Sequence, residues 1–187
     1  MRRPPTWPEL DRLARFVRAA DSLTDSLATW TGRGVEVEVV RRVDRVFPDP
    51  TVAELLDLHA GARVQEREVR MRCADLVVAD ARSWVAVDSP ALTPAVRLSL
   101  RSGGSLGELL RPLQRRRTTV RVGARAVEPS REHATPVLAV QARLDVAGTP
   151  VAWCEETIYE AVFACDGRPG VRRDILRRDG FRAPVPA

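Results

Sequence analysis

Apolar and polar positions change rhythm along the chain, and each rhythm predicts an element. In "WPELDRLARFVRAA" (7–20), Leu10, Leu13, Ala14 and Val17 recur at helical spacing behind Pro8, with acids in the first turn. This segment reads as an amphipathic helix. "DSLTDSLATWTGRG" (21–34) reads as a short helical turn with Asp21 as cap, ending at Gly32 or Gly34. "VEVEVVRRVDRV" (35–46) alternates cleanly and predicts a strand. "DPTVAELLDLHAG" (49–61) predicts a short helix opened by Asp49-Pro50-Thr51 and closed by Gly61. Two long alternating stretches, "RVQEREVRMRCA" and "LVVADARSWVAVD", meet at Ala74-Asp75 and predict a hairpin. "SPALTPAVRLSLRSGG" reads as a helix broken at Gly103-Gly104, and "SLGELLRPL" as a shorter one capped by Ser105. "TTVRVGARAV", "PVLAVQARLDV" and "PVAWCEETIYEAVF" are strands, the last two joined through "AGTP" as a second hairpin.

About six strands in hairpin pairs, with helices at the start and in the middle, predict an α+β domain on a mostly antiparallel sheet. The expected domain runs from 1 to 165. Residues 166–187, rich in Arg, Gly and Pro, are expected at the surface or disordered.

One charge breaks the alternation. In "VQEREVRMRC", Val69, Met71 and Cys73 share the inward parity, and Arg67 shares it too, while Glu66, Glu68, Arg70 and Arg72 form the polar side. A guanidinium stays charged, so an inward Arg67 requires a partner. That partner is either a carboxylate on a facing strand or the carboxylate of a ligand held by a bidentate fork. A second misfit is "AWCEETIYEAVF". Glu155 and Glu156 are adjacent, so one of them points inward whichever way the strand faces. An acid in apolar surroundings has a raised pKa and can handle protons near neutrality, unless an arginine such as Arg67 neutralises it. Periodicity does not choose between the two glutamates.

Composition narrows the chemistry. All 30 basic residues are arginine, so neither a lysine Schiff base nor a lysine-dependent phosphate loop is available. Three cysteines without paired spacing argue against a disulfide framework. His59 and His133 have no ligand partner at helical spacing, so no metal site is expected. The net charge of +5 sits largely in "RRR" (115–117) and the tail, with few aromatics between, which speaks against a nucleic-acid surface. No apolar run is long enough for a bilayer, and "MRRPPTWPEL" lacks the apolar core of a secretion signal; a cytoplasmic protein is expected. "SGGSLGELL" resembles a phosphate loop but does not follow a strand, so a plain helix cap accounts for it. "ARSWV" is not a nucleophile elbow, and Trp30, Trp84 and Trp153 are expected in the core.

In order, "DSLTDSL", "REV", "ARSWVAVDSPALTP", "GGSLGELL" and "GTPVAWCEETIYEAVF" resemble the chorismate lyase family, in its actinobacterial and archaeal branch, from about Asp21 to Phe163. The resemblance implies helical flaps over an enclosed site on an antiparallel sheet, and cleavage of chorismate to 4-hydroxybenzoate and pyruvate without metal or cofactor. It implies a place in quinone or specialised-metabolite synthesis. It further implies that Arg67 grips the ring carboxylate, helped by the backbone N–H groups of Leu23 and Leu106. Glu156 then stands at the hydroxyl end, with Arg82 and Ser83 as supporting or pyruvyl-side groups. Glu155 departs from the family's pattern and points to a changed substrate. The alternative is an altered or inactive relative that binds a small aromatic carboxylate, like the effector-sensing domains of GntR-type regulators. The residues before Asp21 are too few for a winged helix-turn-helix. The chain is expected to act as a monomer or homodimer, with no nucleic-acid or membrane partner.

Overall fold

The computed structural model describes residues 5–45, 49–102, 104–124 and 135–165; the side chain of 102 is not described. The predicted tail, His133 and the end of "TTVRVGARAV" lie outside the described residues.

Thr6 and Glu9 form a reciprocal capping box that starts α1 (Trp7–Arg18). Ser22, rather than Asp21, caps α2 (Leu23–Thr31): its hydroxyl accepts the Asp25 amide at 3.3 Å. Gly32 ends α2 in the left-handed region, at φ 67°. Then follow β1 (Glu36–Arg45) and α3 (Pro50–Leu55), which Asp49 caps. The left-handed turn at Asp57 comes soon after α3, well before Gly61. β2 (Val64–Cys73) and β3 (Leu76–Ala86) form the first predicted hairpin, turning at Ala74-Asp75. α4 (Pro94–Ser102) and α5 (Leu106–Leu110, capped by Ser105) precede β4 (Arg116–Ala124), β5 (Pro136–Val146) and β6 (Thr149–Tyr159). Ala147 and Gly148, both at positive φ, make the tight turn between β5 and β6.

The strands form one six-stranded sheet in the order β1-β2-β3-β6-β5-β4, with every pairing antiparallel. This is the predicted α+β architecture. On the inner face, α1 and α2 place Leu13, Val17, Leu23 and Leu27 against Met71, Val140 and Ile158. α4 and α5 place Val96, Leu100, Leu106 and Leu110 against Val85, Leu144 and Ala152. On the outer face α3 packs Val52 and Leu56 over Trp84 and Trp153. These two tryptophans are in the core as predicted, whereas Trp30 is half-buried between Phe16 and Phe163.

The alternation slips wherever a strand carries one extra residue. Among the described residues, Val40, Val78, Val120, Val137 and Val151 are each skipped in the pairing register. Side-chain parity therefore changes part-way along β1, β3, β4, β5 and β6.

Candidate functional site

Strand pairing carries two rows of side chains across the middle of the inner face. One runs Val39, Val69, Ala81, Glu156, Val140, Val122; the next runs Arg42, Arg67, Ser83, Cys154, Ala142, Thr119. The helix pair α1–α2 packs beside the first row and α4–α5 beside the second. Polar groups thus sit in a seam between two apolar clusters.

Arg67 is 0% exposed, the largest fully buried side chain among the described residues. Its Nη1 donates to Gln65 Oε1 at 2.9 Å and to the carbonyl of Leu100 at 3.3 Å; its Nη2 donates to the carbonyl of Gly104 at 2.5 Å. Gln65 in turn donates to Asp44 Oδ1 at 3.0 Å. The Nε of Arg67 is buried and has no acceptor among the described residues. Nor does any carboxylate there lie within ion-pair reach of Arg67. Burial, and secondarily the positive charge of Arg42, pull its pKa below the ordinary arginine value. The ion pair with a facing carboxylate, one of the two readings of the sequence, is absent among the described residues.

Glu156 faces inward and is 7% exposed, while Glu155 lies exposed on the outer face. Glu156 does not meet Arg67. Arg117 Nη2 donates to its Oε2 at 2.6 Å. Arg117 Nη1 also reaches Thr119 Oγ1 at 2.6 Å and the carbonyl of Ala20 at 3.1 Å, which ties the end of α1 to β4. Burial raises the pKa of Glu156 against the opposing pull of Arg117.

Leu23 and Leu106 open α2 and α5, so each carries an amide for which its helix has no acceptor. The two helix starts lie near each other: a Cβ built on Gly107 would stand 4.0 Å from Ser22 Oγ and 3.3 Å from an Arg115 nitrogen. Arg67 reaches the same segment through Gly104. Ser83, 6% exposed, is directly opposite Arg67 in register; Leu106 follows two residues after Gly104 and packs in the α4–α5 cluster, while Leu23 packs in the α1–α2 cluster.

Arg82 is not on the inner face. Adjacent strand residues point to opposite faces, and Arg82 lies on the outer face, paired with Glu66 at 2.6 Å and stacked 4.6 Å from the Trp84 ring centre. Glu66 itself departs from expectation. It is 2% exposed, although its parity belongs to the polar side, because Arg41, Arg45 and Arg82 enclose it.

Sequence reasoning missed Arg117 and Arg42. "RRR" reads as surface charge until the bulge at Val120 shifts the parity of β4 and Arg117 turns inward. Arg42 follows the bulge at Val40 in the same way. Among the described residues, no cluster of three or more His, Cys, Asp or Glu side chains is placed to hold a metal. No helix there is long and apolar enough to cross a membrane.

Among the described residues, cavities of about 490 and 450 Å3 lie on the outer face, and Arg67 lines neither. On the inner face the end of α4 and the segment before α5 lie directly on Arg67 through Leu100 and Gly104.

No family profile and no curated protein matches the chain. Solved structures do. The effector domain of PhnF from Mycobacterium smegmatis superposes with a TM-score of 0.59 at 17% identity, over 74% of this chain and 88% of that one. The chain has the fold of that effector domain. The structure of PhnF itself gives 0.55 at 15% identity, over 81% of this chain and 78% of that one. A regulator from Escherichia coli CFT073 gives 0.51 at 15% identity, over 66% and 95%. A GntR-family transcriptional regulator overlaps more weakly, at 0.48 and 20% identity, and the chain spans 54% of its length.

These neighbours overturn the lyase expectation. They are described as an effector domain and as regulators, with a fold related to that of chorismate lyase, and none is described as a lyase. The geometry agrees with the correction. The glutamate that the resemblance made the proton-handling group is held in a buried ion pair with Arg117.

Proposed function

We propose that this chain is an effector-sensing domain that binds a small aromatic carboxylate without converting it, with Arg67 as the anchor. The observation that carries this reading is the state of Arg67: a fully buried cation with two neutral carbonyls and an amide oxygen around it and, among the described residues, no carboxylate in reach. An uncompensated buried ion costs several kcal/mol, of order 3–5 when a buried pair is broken, and an incoming anion recovers part of it. In this reading the Leu23 and Leu106 amides, at the α2 and α5 starts, are the further donors to the carboxylate. Ser83 offers a hydroxyl at the next position of the row. A sensor requires this anchor and no free acid, in keeping with the engagement of Glu156 by Arg117. The effector domains that share the fold support the same reading. Residues up to 165 then form one ligand-binding domain, at work in the cytoplasm.

The test is calorimetric titration of the protein with benzoate and 4-hydroxybenzoate beside neutral benzamide. The carboxylates bind and benzamide does not. Arg67→Met weakens carboxylate binding by about 2–5 kcal/mol, as for loss of a buried hydrogen-bonded charge, while the fold survives because an apolar chain replaces a costly ion. Absence of binding by either carboxylate, or equal binding by the variant, would overturn the proposal.

A further inference from the structure

Leu100 stands in the last turn of α4, where the helix leaves its carbonyls without internal donors. Two guanidinium groups reach this one oxygen: Arg42 Nη1 at 3.2 Å and Arg67 Nη1 at 3.3 Å. Arg42 and Arg67 are directly opposite each other in the β1–β2 register, so the convergence is built into the sheet. Neither has a carboxylate within ion-pair reach among the described residues. The nearest acid in β1, Asp44, is hydrogen-bonded to Gln65.

Capping a helix end with one arginine is ordinary. A second arginine on the same neutral oxygen adds repulsion between like charges and no new acceptor. Arg42 is exposed and could extend into solvent, yet it leans inward over its buried neighbour. Two cations converging on a single oxygen form the cradle that a carboxylate would occupy, with one oxygen for each guanidinium.

We infer that Arg42 is a second ligand-gripping residue, and that the ligand's carboxylate takes the position of the Leu100 carbonyl between Arg42 and Arg67. The inference rests on the reading of Arg67 as the anion anchor. Arg42, on the open edge strand, is the first cation an entering anion meets. Arg67 receives the anion behind it. Entry displaces the Leu100 carbonyl and so loosens the hold of the sheet on the end of α4.

The experiment compares wild type with Arg42→Gln by calorimetric titration with 4-hydroxybenzoate, and follows the melting temperature of both. The expected result is a dissociation constant raised at least about tenfold in Arg42→Gln, as for loss of one charge-assisted bond. Its melting temperature stays within about 2 °C of wild type, as for a surface substitution. Equal affinity in the two proteins overturns the role of Arg42 and leaves the Arg67 anchor standing. Weakened binding with a fall in melting temperature beyond about 4 °C makes Arg42 a structural cap of α4 and also overturns it. A wild type that binds no carboxylate overturns the anchor and this inference together.

Discussion

Replacing Arg117 by methionine leaves the Glu156 carboxylate buried without its partner. The pair is tight, at 2.6 Å, and both members are nearly sealed from water, with side-chain exposures of 3% and 7%. Removing one member of such a pair costs about 3–5 kcal/mol. The lost bonds to the Ala20 carbonyl and Thr119 Oγ1 fall within that figure, at about 1 kcal/mol each. At about 2–4 °C per kcal/mol for a domain of this size, the melting temperature falls by about 6–20 °C. The deficit depends on pH. Burial already raises the pKa of Glu156, and losing Arg117 raises it further. A carboxyl group whose folded pKa is raised contributes most below its unfolded value, about 4.3, and loses that contribution as pH rises through the folded value. The Arg117→Met deficit therefore grows as pH rises and shrinks on acidification. Urea unfolding followed by tryptophan fluorescence, at about pH 7.5 and about pH 5, measures both effects. In Arg117→Met/Glu156→Leu most of the loss returns, since an apolar pair carries no desolvation cost. A loss below about 1 kcal/mol at neutral pH, or a double variant no better than the single, would refute the account.

Glu66 titrates in the opposite sense: burial pushes its pKa up, but hydrogen bonds from Arg45 and Arg82 outweigh burial and hold it below the ordinary value. Its contribution is present above about pH 4.3 and is lost as pH falls through the lowered value, so Glu66→Gln flattens the acid limb of a stability–pH curve. An unchanged acid limb would remove Glu66 from the account. The three cysteines are buried and form no disulfide, and burial pushes the Cys154 thiol well above its usual range. An aromatic disulfide reagent at neutral pH should label none of them in the native protein and all three after denaturation; rapid native labelling of Cys154 contradicts the packing described for β6.

Much of the fold was legible from local rules. Alternation in 35–46, 63–74 and 136–146 predicts the strands, and Ala147-Gly148 lies where a two-residue turn must be. Parity along β2 directs Arg67 inward, and adjacency forces one of Glu155 and Glu156 to follow. These inferences hold because side-chain direction in a strand is a property of neighbouring residues alone. The end of α3 was misjudged at Gly61 because Asp57 turns left-handed without a glycine, which composition does not signal.

Which groups meet was decided only in three dimensions. Five single-residue bulges, at valines indistinguishable in sequence from their neighbours, reset parity and bring Arg42 and Arg117 onto the inner face. Glu156 pairs with Arg117, 39 residues earlier, instead of with Arg67, because β5 lies between β6 and β4 and α1 closes over that corner. Arg67 meets carbonyls of α4 and of the segment before α5 because those helices pack on its row. The sequence by itself determined which residues were charged and which way each local stretch would face. The partner of each buried charge depends on strand order and helix docking, and those are set by burial of apolar surface summed over the whole chain, which no single stretch contains.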